Sequence, residues 1–118
     1  MLKDKALENL AAGEELLDRG RVNAAASRLY YAMFQSAIAR MKSLGRSPAE
    51  LRTGATRWQH ATIANNTWLL RGRRADKGLY ASVMLLRIRA DYSDDAIRVG
   101  DVAPLRPAIR EFVEELTT

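Results

Sequence analysis

Residues 21–44 contain neither glycine nor proline, the longest such run in the chain, and they constrain the fold more than any other stretch. Val22, Ala26, Leu29, Met33 and Ala37, continuing past Arg40 to Leu44, recur at three- and four-residue steps. Ala26, Tyr30, Met33, Ala37, Met41 and Leu44 form a second, overlapping stripe. Two adjoining stripes predict one long helix with a buried face wide enough to meet several neighbours. Gly20 precedes it, and Gly45 suits a left-handed C-terminal cap.

The other segments arrange themselves around this helix. Residues 3–19 read as a first helix with Leu7, Leu10 and Leu17, beside Ala6 and Gly13, on its apolar face. The short Arg19-Gly20-Arg21 link makes the first two helices antiparallel. Ser47-Pro48 suits the start of a short helical turn. Residues 56–70 read as a third helix with Thr56 as N-cap. It is poor in good helix formers and is expected to depend on packing Trp58 and Trp68 into the core. Residues 77–92 form the most apolar helix, carrying Leu79, Val83, Leu86 and Tyr80 inward. An acidic turn over 93–102 leads to a last helix over 104–116, striped by Leu105, Ile109, Phe112 and Leu116. No segment alternates as a strand does. The expected class is all-α, an up-and-down four-helix bundle with a shorter fifth C-terminal helix, in one domain spanning 1–118.

Composition removes whole classes of chemistry. With no cysteine and one histidine, the 118 residues supply no disulfide, thiolate site or multi-histidine metal site, and no cofactor is expected. The charged N-terminus is unlike a signal peptide, and no apolar run is long enough to span a bilayer, so the expectation is cytoplasmic with no membrane partner. The net charge is +5, and residues 40–77 concentrate nine Lys and Arg against two acids. That stretch invites an RNA partner, but an antiparallel bundle splits it into two poles. The acidic face of the last helix (Glu111, Glu114, Glu115) is expected to be solvated.

One cluster breaks the plain core pattern. Ser27-Arg28-Leu29-Tyr30-Tyr31-Ala32 places a cation and two phenols where a core helix would carry Leu or Ala. Together with Ala25-Ala26 before it and Met33-Phe34 after it, with His60 and Ile63, and with Arg87 followed by Ala90-Asp91-Tyr92, it resembles the HEPN domain family in order and spacing. The match is to the small stand-alone prokaryotic members and covers roughly residues 5–115. The resemblance implies a helical bundle, often a homodimer. It also implies either a metal-independent endoribonuclease of toxin or defence systems, or a partner of a separately encoded minimal nucleotidyltransferase. Ribonuclease members carry Arg, four to six residues, then His; here His60 follows Arg57 and Arg52 at other spacings, and Asp91 and Tyr92 stand where Arg87 would need its imidazole. The ribonuclease motif is therefore not intact.

The expected site joins Arg28 and Tyr31, one turn apart, to Arg87, Asp91 and Tyr92 in a cleft between helices. There the two arginines would hold a phosphate of a nucleotide or RNA, and a tyrosine would stack on a base. The structural alternative makes Arg87–Asp91 a partly buried ion pair at helical spacing. His60 is the candidate catalytic residue for an enzyme reading, in which it reaches an arginine of another helix or subunit; otherwise it bridges two helices. A pure protein-interaction module is the third class.

Overall fold

A computed structural model describes residues 1–94 and 96–118. Asp95, part of the expected acidic turn, lies outside the described residues. Among the described residues every regular element is helical: α1 Leu2–Asp18, α2 Val22–Ser43, α3 Pro48–Leu51, α4 His60–Asn65, α5 Trp68–Arg71, α6 Ala75–Tyr92, α7 Val99–Val102 and α8 Arg106–Leu116, with a 3-10 turn Ala103–Leu105 before α8. None of these helices is long and apolar enough to cross a membrane.

Helix α2 is the hub, as its double stripe predicts. Ala26, Leu29, Tyr30, Met33, Ala37 and Met41 are all buried, and α1, α4, α5, α6, α7 and α8 all pack on it. Gly45 adopts φ +74, its N–H donates to Lys42 O at 3.0 Å, and the N–H of Arg46 donates to Met41 O at 2.9 Å. That paired closure of the last carbonyls is the Schellman motif. Gly20 repeats it at the end of α1, with φ +74 and the Arg21 N–H on Leu16 O at 2.9 Å.

Side-chain pairings give the helix directions. Asn9 meets Gln35 while Gly13 meets Leu29, so α1 runs against α2. Ser27 meets Asp91 while Tyr31 meets Arg87, so α6 also runs against α2. Arg106 meets Asp18 while Arg110 meets Glu14, so α8 runs against α1. Gly13 is what allows α1 to approach so closely. A Cβ there would lie 2.8 Å from Leu29 Cγ, and Leu29 is fully buried.

The third predicted helix is the main correction. Residues 56–59 are not helical, and the rest forms as α4 and α5. Gln59 is extended (φ −114, ψ 151), and Arg52 donates to its side chain. The Asn66 amide donates to Thr62 O at 2.8 Å and closes α4 after one and a half turns. Short polar side chains that bond nearby backbone compete with helix continuation, and Thr62, Asn65, Asn66 and Thr67 fall together here. Trp68 is 65% exposed, so it does not anchor this segment, whereas Trp58 packs against the core from outside any helix. Tyr80 is fully buried, as its helical pattern requires.

Charged networks tie α8 to α1 at one end and to α5 and α6 at the other. The guanidinium of Arg71, 6% exposed, donates to both oxygens of Asp76 at 2.8 Å and to Glu115 at 2.7 Å, with its Cζ 5.5 Å from the Phe112 ring centre. Glu111 accepts from Arg71 and Arg73. The acidic face of the last helix is thus not simply solvated: it neutralises part of the basic stretch. Glu14 is gripped by Arg106 at 2.8 Å and Arg110 at 2.5 Å. Burial alone would raise its carboxyl, but hydrogen bonds and charge from Arg110 and Arg106 outweigh that and hold it below the usual range.

Candidate functional site

Helical spacing on α6 puts Arg87 and Asp91 on one side, facing Ser27 and Tyr31 of α2. Arg87 Nη2 donates to the Tyr31 hydroxyl at 3.1 Å. Its Cζ lies 5.3 Å from the ring centres of both Tyr30 and Tyr31 and 5.9 Å from that of Tyr92. Three electron-rich faces therefore surround one cation. Asp91 Oδ1 accepts from Ser27 Oγ at 2.6 Å, and Asp91 Oδ2 lies 3.4 Å from Arg87 Nε. That last contact lacks hydrogen-bond alignment: Nε is buried and has no hydrogen-bond partner among the described residues. The Arg87 side chain is 14% exposed and that of Asp91 32%. Arg87 is sheltered and incompletely satisfied, in contrast to Arg71, whose fork is filled by carboxylates.

His60, the first residue of α4, joins this cluster from a third element. Its Nδ1 lies 2.6 Å from the Tyr30 hydroxyl. Its ring stacks on Phe34 at 4.3 Å and stands edge-on to Tyr31 at 6.2 Å. Tyr30 and Tyr31 are thus shared by His60 and Arg87. Burial, and then the charge of Arg87, push the imidazole below its ordinary value, so His60 is neutral at pH 7. Behind it, the Tyr80 hydroxyl lies 3.3 Å from that of Tyr30, and both rings are fully buried. Burial pushes both phenols up, that of Tyr80 furthest.

Of the six residues singled out in the sequence, Tyr31, His60, Arg87, Asp91 and Tyr92 come together. Arg28 does not join them. Tyr31 faces α6, but Arg28, three residues earlier, faces α1 and donates to Asn9 Oδ1 at 3.2 Å. It lines a separate groove of about 600 Å³ with Lys5, Arg19 and Arg21 on one hand and Glu8 and Glu15 on the other. The expected clamp of Arg28 and Arg87 on one phosphate is not formed. Tyr80 reads as core rather than as a base-stacking ring, and core it is, but the reach of its hydroxyl to Tyr30 has no signal in the sequence. The adjacency of Tyr30 and His60 had a signal in the Tyr30-Tyr31 pair, but no spacing rule links residues on separate helices. Compared with models of known families, the chain matches none, and no curated protein matches it.

Proposed function

We propose that this chain is a HEPN-like helical module that binds a phosphate of a nucleotide or RNA at Arg87. In this reading Tyr31 holds the guanidinium, Tyr92 offers its exposed face to a base, and Asp91 with Ser27 sets the orientation of the cation. The single observation that carries it is Arg87 itself: a sheltered cation among three tyrosine rings whose guanidinium, among the described residues, makes one hydrogen bond, to Tyr31, and one loose ion pair, to Asp91. A guanidinium carries five N–H donors, and a ligand oxygen would accept from those that the chain leaves open. We read α1, α2, α6 and α8 as an up-and-down core and α3–α5 as its cover. Leu85, Ile88 and Tyr92 make an exposed stripe along α6, beside the site. Such a stripe suits a protein contact, and in this reading a second copy or a nucleotidyltransferase partner covers it; the toxin–antitoxin or defence role and the cytoplasmic setting belong to the reading and not to the stripe.

The test is fluorescence anisotropy with a labelled single-stranded RNA and with a labelled ribonucleotide, beside light scattering for the oligomer. Arg87→Ala and Tyr92→Ala are expected to weaken binding by about tenfold or more, roughly 1.4 kcal/mol each, and Arg28→Ala to leave it unchanged. Equal binding by wild type and Arg87→Ala refutes the assignment.

A second reading has one observation in its favour. An imidazole does lie on the same Tyr30–Tyr31 pair as Arg87, which a metal-independent endoribonuclease would need. RNA cleavage without added metal, lost in both His60→Ala and Arg87→Ala, would establish it in place of the binding module. A pure protein-interaction module remains the outcome if neither RNA nor nucleotide binds.

A further inference from the structure

We propose that the Tyr80–Tyr30 hydroxyl pair fixes His60 in its Nε2–H form, so that His60 meets a ligand as a neutral donor to a phosphate oxygen and not as a base. The ligand half of this rests on the nucleotide reading above; the tautomer half does not.

The argument follows the protons. The Tyr80 hydroxyl is fully buried, and among the described residues its hydrogen-bond partner is the hydroxyl of Tyr30 at 3.3 Å. A buried O–H without an acceptor is strongly disfavoured, so Tyr80 donates to Tyr30. Tyr30 is also fully buried, and with Tyr80 donating to it, the acceptor left for its own hydrogen among the described residues is His60 Nδ1 at 2.6 Å. Nδ1 therefore carries no proton, and in the neutral ring the proton sits on Nε2. The reverse order, from Nδ1–H through Tyr30 to Tyr80, would strand the Tyr80 hydrogen in the core.

Nε2 makes no hydrogen bond among the described residues. His60 is only partly buried, and Nε2 is the ring nitrogen not engaged by Tyr30. Phe34 stacked on the ring and Tyr31 at its edge hold the orientation. Arg87 sits over the same Tyr30–Tyr31 pair that His60 touches, so its positive charge favours an anionic oxygen as the imidazole's ligand. General base catalysis would need a free, unprotonated lone pair on the ligand side. The nitrogen there already bears a hydrogen, and the other lone pair points into the core at Tyr30. Tyr30 and Tyr80 are in this sense positioning residues.

His60 is the single histidine, so long-range nitrogen-15 NMR reads one imidazole without ambiguity. The free protein at neutral pH is expected to show the Nε2–H pattern. The double variant Tyr30→Phe/Tyr80→Phe removes both hydroxyls together, leaves no stranded donor, and is expected to show a mixture of tautomers. An Nδ1–H or imidazolium pattern in the wild type overturns the proposal, as does a wild-type pattern in the double variant. In the RNA anisotropy assay, His60→Ala is expected to bind about tenfold more weakly and His60→Gln, which keeps an N–H donor, to recover most of that loss. Gln binding as weakly as Ala overturns the donor role. Wild type that binds no RNA defeats the nucleotide reading and the ligand half together, while the spectrum still decides the tautomer.

Discussion

Arg71 and Arg87 are both sheltered arginines beside aromatic rings, yet their truncation is expected to cost different amounts. Arg71→Ala removes both hydrogen bonds to Asp76, whose side chain is 3% exposed. The carboxylate is then stranded, and breaking a buried pair in this way costs about 3–5 kcal/mol. Arg87→Ala strands nothing. Asp91 keeps Ser27 Oγ at 2.6 Å and is 32% exposed, so water completes its shell. The half-buried Tyr31 hydroxyl turns to solvent, and the lost ring contacts amount to about 1–2 kcal/mol. The gap is about 2 kcal/mol. With a urea slope of about 1.5 kcal/mol per M, the two unfolding midpoints separate by more than about 1 M. Urea titration followed by circular dichroism on wild type and both variants measures it. If Arg87→Ala loses as much stability as Arg71→Ala, Arg87 is a structural cation and the site assignment fails.

Three further outcomes follow from the same contacts. Gly13→Ala gains helix propensity but drives a Cβ to 2.8 Å from buried Leu29, and is expected to lower the thermal midpoint through about 1–3 kcal/mol of overpacking; a variant more stable than wild type would show that α1 and α2 cross less tightly. Because folding depresses the His60 imidazole, the unfolded chain takes up its proton first as pH falls, so this contribution is complete above about pH 6.5 and declines below it. His60→Gln should flatten the fall in melting temperature between about pH 7 and pH 5, whereas the loss from Glu14 and Asp18, held below their usual ranges by Arg106 with Arg110 also on Glu14, belongs to more acidic solution; a wild-type midpoint constant from pH 7 to 5 contradicts the assignment. Trp68 is 65% exposed, so Trp68→Phe should change stability by less than about 0.5 kcal/mol and remove the tryptophan emission most readily quenched by acrylamide; unchanged quenching would place Trp68 inside.

What the sequence determined by itself is what repeats along it. The double stripe set the burial of α2 from Ala26 to Met41, though Leu44, where both stripes end, is the exposed C-cap; Gly20 and Gly45 set where two helices end, because a period and a left-handed φ are local properties. The contact between Arg87 and Asp91 was equally legible, since residues four apart on a helix are neighbours. The break of 56–70 into α4 and α5 was half-written in Thr62, Asn65, Asn66 and Thr67; the weak propensity was visible, but the point of failure depended on which side chain captured which carbonyl. Only the tertiary structure decided the partners of polar groups far apart in the chain. Arg71 found Glu111 and Glu115; Arg28 turned to α1 while Tyr31 turned to α6; His60 found Tyr30, and Tyr80 closed the chain behind it. Apolar burial is non-directional and follows from periodicity. A hydrogen bond needs one donor and one acceptor within about 3 Å, and only the docking of whole helices brings them together.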